Sequence, residues 1–264
     1  MQSFLSSSIR KTCYNLVMSN LPSCGLILLA SVLLAFLQLP LGTLLLLCHS
    51  LISSKKAHKK TKALVSSYIF GVFLSNFLLL ASACFLIATL LPSRFMQYVF
   101  SVGLFFALLF YALFAICFYY RPSGFNANRK PNSTELWIPR RFARFLHFRA
   151  KATSNVFEAF SLGVTTALAE LPFSAPLLSV SALGIMNMKN EFAPLSAIFC
   201  AGCSVLPSLI FKFFIRNGKT LIDVQRFRLR HKTFFRLFSG FGFFALAVFL
   251  FAFFILGMKG KLYA

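Results

Sequence analysis

Six stretches of this chain, at residues 24–48, 64–91, 95–120, 156–186, 192–215 and 233–257, are apolar over enough length to cross a lipid bilayer as helix. About 20 residues suffice for a crossing. In hydrocarbon every backbone amide needs a partner within its own segment, so a spanning run outside a closed barrel is helical. Composition agrees, with 58% hydrophobic and only 12% charged residues, where soluble domains carry roughly 25% charged. The pattern predicts an all-α polytopic membrane protein with six transmembrane helices. The second and third runs are separated only by "LPSR", Leu91–Arg94. That reads as a tight hairpin, with a single re-entrant pair as the competing reading. Arg10 and Lys11 before the first run imitate a secretory signal, but the run is too long for one and lacks a small-x-small cleavage site. The longest connection runs from about Arg121 to Asn155, too short for a soluble domain, so function is expected within the bundle.

A formal charge of +22 would point to nucleic acid in a soluble chain. In a membrane protein, what matters first is how Lys and Arg divide between the loops. Lys55, Lys56, Lys59, Lys60 and Lys62 follow the first run, eight bases fall between Arg121 and Lys151, and eight between Lys212 and Arg236. The other side keeps only Arg10, Lys11, Arg94, Lys189, Lys259 and Lys261. The positive-inside rule therefore places loops one, three and five in the cytoplasm and both termini outside a cell (inner) membrane. The partners this implies are the bilayer and its acidic lipid headgroups, not nucleic acid. Within loop three, "ELWIPRRFARFLHFRAK" sets Ile138, Phe142, Phe145 and Leu146 against Arg140, Arg141, Arg144 and His147. This is the pattern of an interfacial amphipathic helix, with Trp137 as its anchor. The sequon at Asn132 lies in the same loop, on a face where it would not be glycosylated.

The chain also repeats itself. "AFLQLPLGTLLL" in the first run aligns with "ALAELPFSAPLL" in the fourth, so that Gln38 and Pro40 match Glu170 and Pro172 at an offset of 132 residues. "SYIFGVFLS" (67–75) resembles "SAIFCAGCS" (196–204) at an offset of 129. Two halves of three spans follow, at 24–120 and 156–257. They are joined by the basic loop 121–155 and flanked by an N-terminal segment 1–23 and a tail 258–264. An odd number of spans per half inverts the second half, as in many secondary transporters, whose sites lie at the midplane where interrupted helices meet. Pro40, Pro172 and Pro176 are the expected helix breaks, since proline removes an amide and clashes with the carbonyl one turn back.

Glu170 is about 14 residues into its span, where an ionised side chain costs roughly 2.5–3.5 kcal/mol on insertion scales. Two roles offset such a cost. The carboxylate takes up a proton or cation during transport, or it stays protonated and bonds Gln38 across the two halves. Asn76 is the other deep amide, with Ser75, Ser174 and Ser204 as further polar lining; Glu158 is close to the membrane surface. The candidate substrate or ion site is thus Glu170, Gln38 and Asn76, with a small solute or ion as ligand.

The motif F-x-x-G-x-x-x-x-L-x-E-L-P, from Phe160, Gly163 and Leu168 to Pro172, resembles the fourth span of the cytochrome c biogenesis and thiol-disulfide interchange membrane proteins. Those belong to the wider lysine-exporter superfamily. The resemblance implies two inverted three-span repeats with a reactive cysteine after the proline of each. This chain has Leu41 and Phe173 there, so the scaffold carries over and the thiol relay does not. Of its seven cysteines (13, 24, 48, 84, 117, 200 and 203) only Cys200 and Cys203, in "CAGC", have redox-motif spacing. Such residues are also ordinary packing choices in membrane helices. The four histidines (49, 58, 147 and 231) lie in or beside basic loops. Neither a metal nor a cofactor is expected. The sequence favours a secondary transporter or exporter coupled through Glu170. Its alternatives are a transmembrane thiol-disulfide electron-transfer protein using Cys200 and Cys203, the only enzymatic reading, and a non-transporting membrane subunit.

Overall fold

The computed structural model describes residues 22–37, 42–48, 58–118, 140–188, 192–214, 230 and 232–255, and these contain helices and no strand. Helix α1 spans Pro22–Ala35 and α2 residues 42–48. They are followed by α3 (His58–Leu90), α4 (Arg94–Phe118), α5 (Arg140–Ala152), α6 (Val156–Met186), α7 (Ala193–Phe214) and α8 (Lys232–Phe249), which runs on into a π-helical segment, Leu250–Ile255.

Four of these helices, α3, α4, α6 and α7, are long and apolar enough to cross a membrane, which makes this a membrane protein by the length and composition of its helices. The first and last predicted spans come out shorter, as apolar helices Pro22–Ala35 and Leu237–Ala252. The run 24–48 is not one rod. Helix α1 tightens at its end, where the Phe36 amide bonds both the Val32 and Leu33 carbonyls and the Leu37 amide bonds that of Leu34, the i→i+3 pattern of a terminating turn. Helix begins again at residue 42. Gln38 and Pro40, assigned to this interruption from the sequence, lie outside the described residues.

The "LPSR" segment joins two helices, each long and apolar enough to cross a membrane. Helix α3 stops at Leu90, ahead of Pro92, because proline excludes α geometry from the residue before it. Ser93 then accepts the Met96 amide at 3.2 Å and caps α4.

The expected breaks at Pro172 and Pro176 are corrected: α6 continues through both. What the prolines remove is two rungs of the hydrogen-bond ladder. Position 172 cannot donate to the Leu168 carbonyl, nor position 176 to the Pro172 carbonyl. A side chain from another helix fills the second gap, the Tyr111 hydroxyl of α4 donating to the Pro172 carbonyl at 2.5 Å. Proline is tolerated inside membrane helices when neighbours satisfy the freed groups in this way.

Helix α6 is the central element, with 61% of its span buried against 28–33% for the other three. Its buried ridge, Ala159, Gly163, Thr166, Glu170, Ser174, Leu177, Ser181 and Gly184, is mostly small, which lets neighbouring backbones approach. The closest approach is to α3, where a Cβ on Gly71 would overlap the Phe160 carbonyl and one on Gly163 would overlap the Tyr68 carbonyl. Helix α1 lies along the other end of α6, with the Ser23 carbonyl 3.2 Å from where a Gly184 Cβ would be. Helix α3 also packs along α7, and α4 along α8 and its π segment.

The apolar interior falls into two clusters. One joins α1, the far ends of α3 and α6, α4 and α8, through Leu26, Leu34, Leu80, Leu108, Leu177 and Leu246. The other joins α2, α5 and the early turns of α3 and α6 to Val205 and Phe211 of α7, through Leu44, Tyr68, Val72, Leu146 and Leu162.

Candidate functional site

A layer of buried polar side chains falls between the two clusters along α3, α6 and α7 and reaches into the second cluster at Tyr68, Thr43 and Ser208. On α6 it is Thr166, Glu170 and Ser174, on α3 Tyr68, Ser75 and Asn76, on α7 Ser204 and Ser208, and on α2 Thr43. Glu170 is about 21 Å along α6 from Val156 at 1.5 Å per residue, close to midway through the helix. It is 6% exposed.

Two hydrogen-bond relays cross this layer. In the first, Asn76 donates from Nδ2 to Ser204 Oγ at 2.9 Å, and Ser204 donates to the Ala201 carbonyl at 2.7 Å. This joins α3 to α7. In the second, the Thr166 hydroxyl donates to the Leu162 carbonyl at 2.7 Å, which commits its only proton. The Tyr68 hydroxyl bonds both Thr43 and Thr166. That relay runs from α2 through α3 into α6. Tyr68 is fully buried, and the Glu170 carboxylate is near enough to its phenol to act on it electrostatically. Ser75 and Ser174 turn back on their own helices, to the Gly71 carbonyl at 2.8 Å and the Leu171 carbonyl at 3.5 Å.

No family model, no curated protein and no solved structure matches this chain.

Of the residues selected from the sequence, Glu170 and Asn76 both fall in the polar layer, and Ser75, Ser174 and Ser204 line it with them. Glu158 does not. Its carboxylate accepts the backbone amides of Ser154 and Asn155 at 2.7 and 3.1 Å and holds the start of α6, which is a structural task. Cys200 and Cys203 are free thiols one turn apart on α7. Cys200 is buried and bonds Ser181 at 3.4 Å, while Cys203 is partly exposed. Among the described residues no three His, Cys, Asp or Glu side chains gather as metal ligands would.

Sequence reasoning missed Tyr68, Thr43 and Thr166. A tyrosine within an apolar run reads as packing or as a membrane-interface anchor. Its depth was nonetheless available: Tyr68 sits in the repeated "SYIF" segment, one turn before Gly71.

Proposed function

We propose that the protein is a secondary transporter of a small solute, coupled through protonation or cation binding at Glu170. The observation that carries this reading is the placement of one carboxylate in a polar layer between two apolar clusters, at mid-depth on the most buried helix. An acid there is costly unless it is used. Hydroxyls and an amide share that layer with it, and a carboxyl among such groups can take up a proton or a cation.

The pairing of helices fits the inverted-repeat arrangement on which alternating access depends. Each helix of one half lies on its counterpart in the other: α1 on α6, α3 on α7 and α4 on α8. The Asn76–Ser204 bond joins the end of one repeated segment to the residue that follows the other. In this reading the positive-inside orientation holds, with the α5 end of the bundle toward the cytoplasm, and the likeness to the cytochrome c biogenesis proteins is one of scaffold. Substrate-driven flux through reconstituted vesicles tests the proposal. Glu170→Gln should fold and lose coupled transport. Flux from that variant at the wild-type rate would remove the carboxylate from the mechanism.

A further inference from the structure

Helix α5 is amphipathic in a way that its sequence pattern does not convey, because it has three faces and not two. Leu146 and Ala150 are buried in the cluster that includes the start of α6. This corrects the expectation that Leu146 shares a lipid-facing side with Phe145. At about 100° per residue, Phe148 falls opposite that buried face and Phe145 on one flank of it. Arg144, His147 and Lys151 fall on the other. Both phenylalanines are exposed, at 44% and 72%, and Val156 and Phe157 at the adjoining start of α6 are exposed as well. Arg149 lies over the Phe145 ring, 5.5 Å from its centroid, so its charge sits at the edge of the apolar flank. The helix has no acidic residue; Glu158 at the start of α6 accepts backbone amides and also feels the charge of Arg149.

We infer that α5 is a built binding surface for an anionic phospholipid at this end of the bundle. Phe145 and Phe148 enter the acyl boundary, while Arg144, Arg149 and Lys151 hold the phosphate-bearing headgroup. The observations that select this occupant are the charge complementarity and the apolar flank directly beside it. A free anion would need only the bases. An acidic protein would gain nothing from two phenylalanines at the level where α6 enters the membrane. An interfacial helix gains from both elements together, buried apolar area and attraction to anionic lipid. The packed third face fixes the orientation of the helix, so only the side chains have to order when a headgroup binds.

The test uses the full-length protein in neutral detergent, titrated separately with phosphatidylglycerol, phosphatidylcholine and inorganic phosphate, with bound lipids resolved by native mass spectrometry. Phosphatidylglycerol should bind in preference to phosphatidylcholine. Each of Arg144→Gln, Arg149→Gln and Lys151→Gln should reduce that preference about fivefold, from the ~1 kcal/mol that a basic residue near an anionic surface contributes. Arg94→Gln, at the start of α4, should leave it unchanged. The paired Phe145→Ser and Phe148→Ser substitutions should weaken both lipids alike. An equal affinity for the two lipids, a preference surviving the triple neutralisation, or complete displacement by millimolar phosphate would each overturn the assignment. Should the triple variant misfold, the wild-type preference measured from low to high salt decides the matter. An electrostatic site loses it as screening shortens the range of attraction, and a salt-independent preference refutes it.

Discussion

Removing the Tyr111 hydroxyl isolates the consequence of placing Pro176 one turn after Pro172. In an unbroken helix the amide at 176 would bond the carbonyl at 172. Proline has no such amide, and the Tyr111 hydroxyl takes the acceptor at 2.5 Å. The tyrosine ring is held independently, stacked on Phe243 with centroids 6.0 Å apart, so Tyr111→Phe removes the hydrogen bond and keeps the packing. Hydrogen bonds between membrane helices are worth ~0.6 kcal/mol on average and up to about 1.7. Here the carbonyl has lost its helical donor, which puts the expected cost at the upper part of that range, ~1–1.5 kcal/mol. Pro176→Ala restores the missing amide and gives the carbonyl a partner within α6. In that background Tyr111→Phe should cost only a few tenths of a kcal/mol, leaving a coupling energy of about 1 kcal/mol. Unfolding in mixed detergent micelles, followed by circular dichroism for the two single variants and the double, measures it. Additivity within ~0.3 kcal/mol would refute the idea that the tyrosine substitutes for the amide.

Gly163→Leu should prevent α3 and α6 from meeting, because even a Cβ there overlaps the Tyr68 carbonyl. A loss of at least 3 kcal/mol or failure to accumulate is expected, and Gly163→Ala should cost roughly 1–3 kcal/mol as overpacking does. Gly202→Ala, where nothing lies within 4 Å of the new methyl group, is the matched control and should be neutral in the same unfolding assay. Asn76→Ala should cost ~0.6–1.7 kcal/mol by breaking the buried bond from α3 to Ser204. Ser204→Ala in the Asn76→Ala background should add little.

Much of this architecture is legible in the chain because hydrocarbon leaves so few options. An apolar run bounded by bases is a helix, and a proline two residues past Leu90 ends one. The limits appear where packing decides. Pro172 and Pro176 announce missing amides, but whether the helix breaks or continues depends on a donor from elsewhere, and Tyr111 is 61 residues away in sequence. The alternation of α5 separates basic from apolar residues without distinguishing the apolar face that meets the bundle from the one that meets lipid, so Leu146 and Phe145 look equivalent until α6 is in place. Glu170 stands out because charge is rare in a span. Tyr68 does not, since tyrosine is at home in several membrane settings, and only its neighbours Thr43 and Thr166 reveal it as part of the polar layer.

The same layer determines what a substitution at Glu170 can reveal. Both relays end on backbone carbonyls, one on Ala201 of α7 and the other on Leu162 of α6. Glu170→Gln leaves both of those acceptors in place. It keeps a side chain of the same length that can both donate and accept, and it relieves whatever cost of an ionised group at mid-depth the native acid bears. The variant should unfold within about 0.5 kcal/mol of the wild type, or be slightly more stable, while losing coupled flux. That combination separates function from architecture. A variant destabilised by more than ~2 kcal/mol would mean that the carboxylate is a strut of the polar layer, and its conservation of fold would then account for its depth without any transport.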